Sequence, residues 1–255
     1  MHCLPVEHQQ DLDRLPAYYW WHRHRIEMVV GLLGRFYRQR PGQTFNYCDV
    51  GGGTGATTTE IVKGLRDRLK LPITTNSTVC LDGDPGLAVL QKNKEIRHLL
   101  QDIEKDWDLA VGHFDLMTLL DVIEHVEDPV LLLGRCKSQL NSNGIGVISV
   151  PAYNFLFSQW DVALGHKRRY TRARLRSECK RAGFRVLWDS YLYSYMLPAA
   201  FLRRAGIFGH QGAAEFPQIP GFLNTGLRAI GACERRITRG WAIPWGTSVM
   251  AVVQP

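Results

Sequence analysis

The stretch YCDVGGGTGA at residues 47–56 places four glycines within five positions, directly behind an apolar run. FNYCDV at 45–50 reads as a short strand, and ATTTEIVKGLRDRLK after the glycines reads as a helix. Gly51, Gly53 and Gly55 therefore form GxGxG at a strand-to-helix junction. Missing Cβ atoms permit tight turns there and let a ligand lie against the backbone. The helix start behind them presents free N–H groups. Asp49 precedes the glycines, within reach of such a ligand or of the loop's own N–H groups. The spacing alone leaves the ligand open, because GxGxxA can also be read from Gly51, Gly53 and Ala56, as in a dinucleotide cradle. No GK[ST] follows, so a P-loop is excluded.

Outward from this loop, strand-like and helix-like segments alternate. STVCLDGD at 77–84 reads as a second strand ending in acid, with Asp82 27 residues beyond Gly55. A carboxylate there can accept both ribose hydroxyls of an adenosine-type cofactor. Asp84 can share that role, and helix capping is the competing structural reading. PGLAVLQKNKE opens a helix with Pro85 in its first turn. FDLMTLLDVIEHV at 114–126 holds a strand ending near Asp121. PVLLLGRCKSQLNSNG reads as a helix closed by Gly144. IGVISVPA at 145–152 is apolar on both faces, as buried parallel strands are. TRARLRSECKRAGF at 171–184 reads as a helix with Thr171 as N-cap and Gly183 as its stop. RVLWDSYLYSY and TSVMAVVQP read as strands. The order predicts an open α/β sheet. YYWWHRHRIEMVVGLLGRFYRQR at 18–40 carries a helical period, so residues 1–44 are expected to form an N-terminal helical lid or cap. Residues 45–255 are expected to form the core, with helical pieces and loops laid over the sheet at about 196–246.

Bulk properties narrow the class. The 255 residues suit one sizeable domain with an elaboration, and 45% hydrophobic residues supply a core. Six cysteines (Cys3, Cys48, Cys80, Cys136, Cys179 and Cys233) are scattered without a CxxC pair, which predicts buried thiols rather than disulfides or zinc. MHCLPVEHQQDLDRLP has no apolar signal-peptide region, and no 18-residue apolar run exists. A reduced, cytoplasmic protein is the expectation. The formal charge of +7 is concentrated in HRHR, HKRRYTRARLR and ERR. Such a balance attracts anions: an anionic small substrate, an anionic membrane surface, or nucleic acid, although no nucleic-acid motif accompanies it.

Taken as a set, DVGGGTG, LDGDP, QDIEKDW and FDLMTLLDVIEHVEDP resemble the successive motifs of class I S-adenosylmethionine-dependent methyltransferases over roughly residues 20–190. Gly52 stands where that family usually has cysteine. YYWWHRHR and VPAYNFLFSQWDVALGHKRRYT further resemble a bacterial small-molecule subgroup of the methyltransferase type 11/12 kind. The resemblance implies a Rossmann-like sheet of seven mostly parallel strands, with an antiparallel last strand and helices on both faces. Residues 185–195 and 247–253 would supply the reversed hairpin. It implies that Asp49 and Gly51, Gly52, Gly53 and Gly55 surround the methionine part of S-adenosyl-L-methionine, with S-adenosyl-L-homocysteine as product. It further implies that Asp82 and Gly83 hold the ribose. Asp102 and Ile103 would lie against the adenine, and Asp121 and Val122 would face the methionyl and methyl groups.

Methyl transfer requires in-line attack on an activated carbon, so the protein must align the nucleophile and exclude water. A base is needed only where the nucleophile carries a proton. His125 and His166 are the candidate bases, each with a structural role as its alternative. Glu124 and Asp161 can orient a histidine or bind an amine. Arg168 and Arg169, followed by Tyr170, offer donors for an acidic acceptor, whereas Arg172, Arg174 and Arg176 read as solvated surface. Tyr19 and His22 are the pocket candidates of an aromatic cluster that includes Tyr18, Trp20 and Trp21. The apolar segment 191–209 suits a greasy pocket, a peripheral membrane contact, a dimer interface or plain core. No compact ligand set is visible, so no metal is expected. The expected reaction is transfer to O, N or activated C of a small-molecule acceptor, in secondary-metabolite biosynthesis first and lipid or sugar modification next, by a monomer or homodimer. An NAD(P)-dependent oxidoreductase is the enzymatic alternative, weakened by the lack of a Tyr-x-x-x-Lys pair. A non-catalytic or RNA-directed protein binding S-adenosylmethionine is the other.

Overall fold

The computed structural model describes residues 19–39, 42–84, 95–105, 107, 109, 113–204 and 219–255. Cys3, Tyr18 and the helix expected to open at Pro85 lie outside them. Seven strands form one sheet: β1 (Tyr47–Val50), β2 (Thr78–Asp82), β3 (Arg97–Leu100), β4 (Phe114–Leu120), β5 (Leu140–Pro151), β6 (Arg185–Leu192) and β7 (Ser248–Gln254). Their order is β3-β2-β1-β4-β5-β7-β6. The first five are parallel, and β7 enters antiparallel between β5 and β6. This is the sheet that the family resemblance implies.

Both faces are covered. On one face, Cys48, Val50, Leu81, Met117, Leu119, Ile148 and Val150 pack with Leu132 and Leu133 of α3 (Pro129–Gln139) and Leu175 of α5 (Arg172–Arg181). On the other, Tyr47, Leu116, Val147 and Val252 pack with Ile61 and Leu65 of α2 (Ala56–Leu69) and with α1 (Trp20–Phe36). Ile26, Val29, Val30 and Leu33 of α1 recur at 3- and 4-residue spacing and all join this core. The N-terminal helix is thus a constituent of the sheet's cover along most of its length, and only its first turns reach the strand ends.

Local chemistry sets the helix boundaries. Asp128 caps α3, its carboxylate accepting from the N–H groups of Val130 at 2.9 Å and Leu131 at 3.0 Å, with Pro129 in the first turn. Thr171 caps α5 by accepting from Arg174 N, and Gly183 follows its end at φ +86°. Two sequence readings shift. α3 ends at Gln139, not Gly144, because Leu140 already pairs with Phe114 and Asn141 donates to Asp115 Oδ1 at 3.0 Å. β3 escaped notice because RHLL is short and half exposed, with no clear apolar period.

The arginines read as solvated surface have partners. Arg172 and Arg176 both pair with the buried Asp189 of β6, and Arg174 pairs with Glu178 at 3.0 Å. Cys48, Cys80, Cys136 and Cys179 are buried free thiols, and Cys233 is an exposed one. No helix among the described residues is long and apolar enough to cross a membrane.

Of the segment 191–209, Tyr191 and Leu192 end β6 in the core. Tyr193 adopts φ +55°, a conformation costly for a residue with a side chain. α6 (Leu197–Arg204) and α7 (Gly221–Ile237) follow, and α7 packs on α1 rather than flat on the sheet. Asn224 Oδ1 accepts from Trp20 N at 2.8 Å. The buried Glu234 accepts from the N–H groups of Tyr193 and Ser194, both at 2.9 Å, which fixes the strained turn. Glu234→Ala should lower unfolding free energy by about 2–3 kcal/mol, since two buried N–H groups lose a charged acceptor. Urea denaturation checks it; a change below about 0.5 kcal/mol would contradict it.

Candidate functional site

The sheet order reverses between β1 and β4, and a crevice at the carboxyl ends of strands on either side of such a point is where ligands settle in open α/β folds. Several motifs singled out in the sequence follow the carboxyl ends of strands β1 to β5. β1 delivers Asp49 and the glycine loop, β2 delivers Asp82 and β3 delivers Asp102. β4 delivers Asp121 through His125, and the chain after β5 delivers Asp161 through Tyr170.

The loop's glycines answer first to the protein itself. Gly51 has φ +69°, and a Cβ on it would lie 2.7 Å from Val122 Cγ2. On Gly52 a Cβ would lie 2.6 Å from Cys80 Sγ and 3.0 Å from Asp49 Oδ2. Close strand-end packing thus demands the bare backbone on the inner side, which leaves the outer side for a ligand. Asp49 is turned inward. Its carboxylate accepts from Thr118 Oγ1 at 2.5 Å and from Thr58 Oγ1 at 2.6 Å, and Tyr47 lies 2.8 Å behind Thr118. Burial pushes its pKa up to about 6 against the help of both hydroxyls.

Asp82 closes β2 beneath the loop. It accepts from Gly53 N at 2.9 Å and Asp84 N at 3.0 Å, with Gly83 between them. Burial raises its pKa, and these N–H groups oppose the shift. The Gly83 N–H also bonds it, and among the described residues part of its acceptor capacity is left over. Asp102 forms a turn in which Oδ1 accepts from Glu104 N at 3.0 Å, and Ile103 is buried in the core behind it. His98 of β3 lies against Gly55, its Nε2 buried with no hydrogen-bond partner among the described residues.

At β4 the backbone bends sharply: Asp121 has φ +59°, and its N–H donates to Ser149 O at 2.9 Å. Ser149 Oγ donates to its Oδ1 at 3.1 Å, and Arg25 of α1 pairs with its Oδ2. Arg25 is buried, with its guanidinium 4.2 Å from the Trp21 ring centroid. Asp121 raises the Arg25 pKa further, against desolvation. The sequence shows Arg25 only as part of the basic HRHR run; its pairing across 96 residues of chain has no local signal. His22, one turn earlier, has its pKa lowered to about 4 by burial and by Arg25. Tyr19 is buried against Trp20 at the start of the same helix, their ring centroids 6.0 Å apart.

Glu124 and His125 follow Asp121, and a backbone bond from Lys167 N to Glu124 O at 2.9 Å draws the post-β5 chain onto them. That chain folds as a capping box, with Ser158 N donating to Asp161 Oδ2 at 2.8 Å at the start of α4 (Gln159–Ala163). Asp161 also accepts from His166 Nδ1 at 2.8 Å and from Arg169 Nε at 2.7 Å and Nη2 at 3.0 Å. These donors hold its pKa near 2 despite burial. Asp161 and Arg169 therefore satisfy one another, and Arg169 also donates to Ala152 O at 3.1 Å. Tyr170 is fully buried, and Arg168 rests on the Glu127 carbonyl at 3.3 Å. Of the acceptor candidates after β5, Tyr170 spends its hydroxyl on Ile123 O at 3.4 Å, whereas His166 turns Nε2 toward the Glu124 carboxylate, 4.0 Å from Oε1. Its ring lies 4.8 Å from that of His125, which Gly165 O holds through Nδ1 at 3.3 Å. Burial and His166 lower the His125 pKa to about 4.

Beside this chain lies an apolar pocket of about 300 Å³, lined by Phe155, Leu197, Pro198, Phe201 and Trp245.

The sequence matches the methyltransferase-domain family over residues 20–188. No curated protein matches it. Among solved structures, a methyltransferase in complex with the Trm112 activator of Haloferax volcanii aligns at 18% identity and TM-score 0.54, covering 92% of this chain and 89% of that one. An S-adenosylmethionine-dependent methyltransferase of Clostridium acetobutylicum aligns at 12% identity and TM-score 0.54, covering 91% of each chain. The phosphoethanolamine N-methyltransferase 2 of Haemonchus contortus aligns at 12% identity and TM-score 0.53, covering 92% of this chain and 52% of that one. At such identities the likeness is one of fold, and it agrees with the sheet order. The family match extends from the start of α1 into β6 and sets aside the oxidoreductase reading: the chain belongs to the methyltransferase-domain family and is a class I S-adenosylmethionine-dependent methyltransferase.

Proposed function

We propose that this enzyme methylates an O, N or activated C atom of a small-molecule acceptor with an apolar portion, His166 being the residue that activates the acceptor. The observation carrying this reading is the buried Asp161–His166 pair, which leaves the His166 Nε2 lone pair turned toward Glu124 beside the glycine-loop crevice. S-adenosylmethionine supplies, when bound, a methyl group already activated by its sulfonium.

The residues at the crevice fit that cofactor. The glycine loop has bare backbone, Asp82 keeps free acceptor positions, and His98 Nε2 lacks a partner among the described residues. Asp82 and Gly83 would hold the ribose, while Asp102 and Ile103 would flank the adenine. Gly51, Gly52, Gly53 and Gly55 would border the methionine part. Its zwitterionic end suits the Arg25–Asp121 pair, the guanidinium facing its carboxylate and Asp121 its ammonium. Val122 would face the methyl group, and Asp49 would brace the loop from behind. Tyr19, His22 and the first turns of α1 would close the crevice against water.

Several observations favour a small acceptor over nucleic acid. The basic run 166–176 is largely spent on Asp161, Glu127, Asp189 and Glu178. The pocket beside Phe155 is apolar. Arg168, at the surface, remains available for an acidic acceptor group. The free thiols favour a reducing, cytoplasmic setting.

Isothermal titration tests the cofactor assignment. S-adenosylhomocysteine should bind and NADH should not. Asp82→Ala should weaken S-adenosylhomocysteine by about 1–3 kcal/mol, roughly 5- to 150-fold, through lost charged hydrogen bonds. Unchanged affinity would remove Asp82 from the site.

A further inference from the structure

We propose that Glu124, His125 and His166 form a binding site for one divalent transition-metal ion of the zinc class. The three side chains offer one ligand atom each within 4.8 Å of one another, with Glu124 fully buried. Neither carboxylate oxygen of Glu124 has a hydrogen-bond partner among the described residues. Buried carboxyl groups are nearly always hydrogen-bonded or paired, so an orphaned one asks for a cation or a proton. Its distance to His166 Nε2, 4.0 Å from Oε1, is too long for a hydrogen bond to serve instead.

The two imidazoles are prepared in the same sense. His166 Nδ1 faces the carboxylate of Asp161 at 2.8 Å, and His125 Nδ1 faces the carbonyl of Gly165 at 3.3 Å. Both partners are acceptors, so each ring carries its proton on Nδ1 and leaves a lone pair on Nε2. Metal-ligating histidines are oriented in this way by carboxylates and carbonyls behind them. Asp161 is itself locked by Arg169 and Ser158. The backbone bond from Lys167 to Glu124 fixes the two loops against each other.

Two nitrogens and one oxygen suit zinc, cobalt, nickel or ferrous iron, and disfavour magnesium and calcium, which prefer all-oxygen sets. Bonds of about 2.0–2.1 Å in a tetrahedron put ligand atoms roughly 3.3 Å apart. Closure by about 1.5 Å at the widest pair would therefore complete the site. Three protein ligands leave a fourth position for an acceptor oxygen or nitrogen, whose pKa the ion would lower. His166 would then act on the acceptor through the ion rather than by taking a proton directly. That role rests on the methyl-transfer reading; the binding itself does not.

The test uses the full chain, stripped with a chelator and titrated with cobalt(II). The expected result is a visible d–d absorption that saturates at one equivalent and disappears on adding zinc. Glu124→Gln, which preserves shape, and His166→Ala should each weaken cobalt binding by about tenfold or more. S-adenosylhomocysteine affinity, measured on the same samples, should stay unchanged and shows that the variants are folded. Absence of a one-equivalent spectrum, or a spectrum unaltered in both variants, would overturn the site. Cobalt binding without S-adenosylhomocysteine binding by the unmodified chain would instead overturn the methyl-transfer reading.

Discussion

His166→Ala is expected to slow methyl transfer by roughly 10²- to 10⁴-fold while leaving S-adenosylhomocysteine affinity within about twofold of the unmodified enzyme. The asymmetry follows from position. His166 lies on the post-β5 chain, with Nδ1 on Asp161 and Nε2 turned toward Glu124. The glycine loop and Asp82 lie across the crevice, behind β1 and β2. Removing the imidazole should therefore affect the acceptor and spare the cofactor. Single-turnover rates over a range of pH, with S-adenosylhomocysteine titrations alongside, decide the matter. A rate within about threefold of the unmodified enzyme at every pH would reduce His166 to scaffold. The two modes of action also separate here. If the lone pair takes a proton directly, chelator leaves the rate intact. If it acts through an ion, chelator reproduces the alanine phenotype and zinc restores the unmodified enzyme but not the variant.

Asp161→Ala is expected to destabilise the fold by about 3–5 kcal/mol, the usual cost of leaving one partner of a buried ion pair uncompensated. Asp161 is fully buried and is shared by Arg169, His166 and the capping box at Ser158. The substitution releases all three, and it frees His166 to adopt the other tautomer. The pH dependence has a definite sign. The folded-state pKa, near 2, lies below the ordinary 3.8, so the native state favours the carboxylate. The stability this contributes is present above about pH 4 and lost as pH falls toward 2. Urea unfolding of both proteins between pH 7 and pH 2 checks it. The difference between them should shrink across that lower window, and a difference that stays constant would show that Asp161 acts by packing alone.

Much of this was legible from the sequence because it is local. A glycine loop behind a strand, an acid closing the next strand and the DVIEH run after β4 each carry their structural position within a few residues. Thr171 as a helix cap was legible for the same reason. What escaped depends on contacts between distant segments. Arg25 looked like one cation of the HRHR run, and only folding brings it onto Asp121. Glu124 sits between Ile123 and His125, and nothing local indicates that both its oxygens are sealed in without hydrogen-bond partners among the described residues. The run of arginines at 172–176 looked solvated because Asp189, which takes two of them, lies on the following strand, β6. Aromatic residues crowding the start of the N-terminal helix suggested a lid or cap; its apolar residues from Ile26 onward also join the core on one face of the sheet. The ligand set at Glu124, His125 and His166 could have been suspected from histidine following both the fourth and the fifth strand, since adjacent parallel strands end side by side.

An adenosine-bearing cofactor is expected to seat in the crevice between the glycine loop and the ends of β2, β3 and β4. A crystal structure of the protein grown with S-adenosylhomocysteine measures this most directly. The ribose hydroxyls should meet Asp82, with the sulfur directed toward Val122 and the acceptor space bounded by His166. Adenosine density anywhere else, or a ribose beyond hydrogen-bond reach of Asp82, would contradict it.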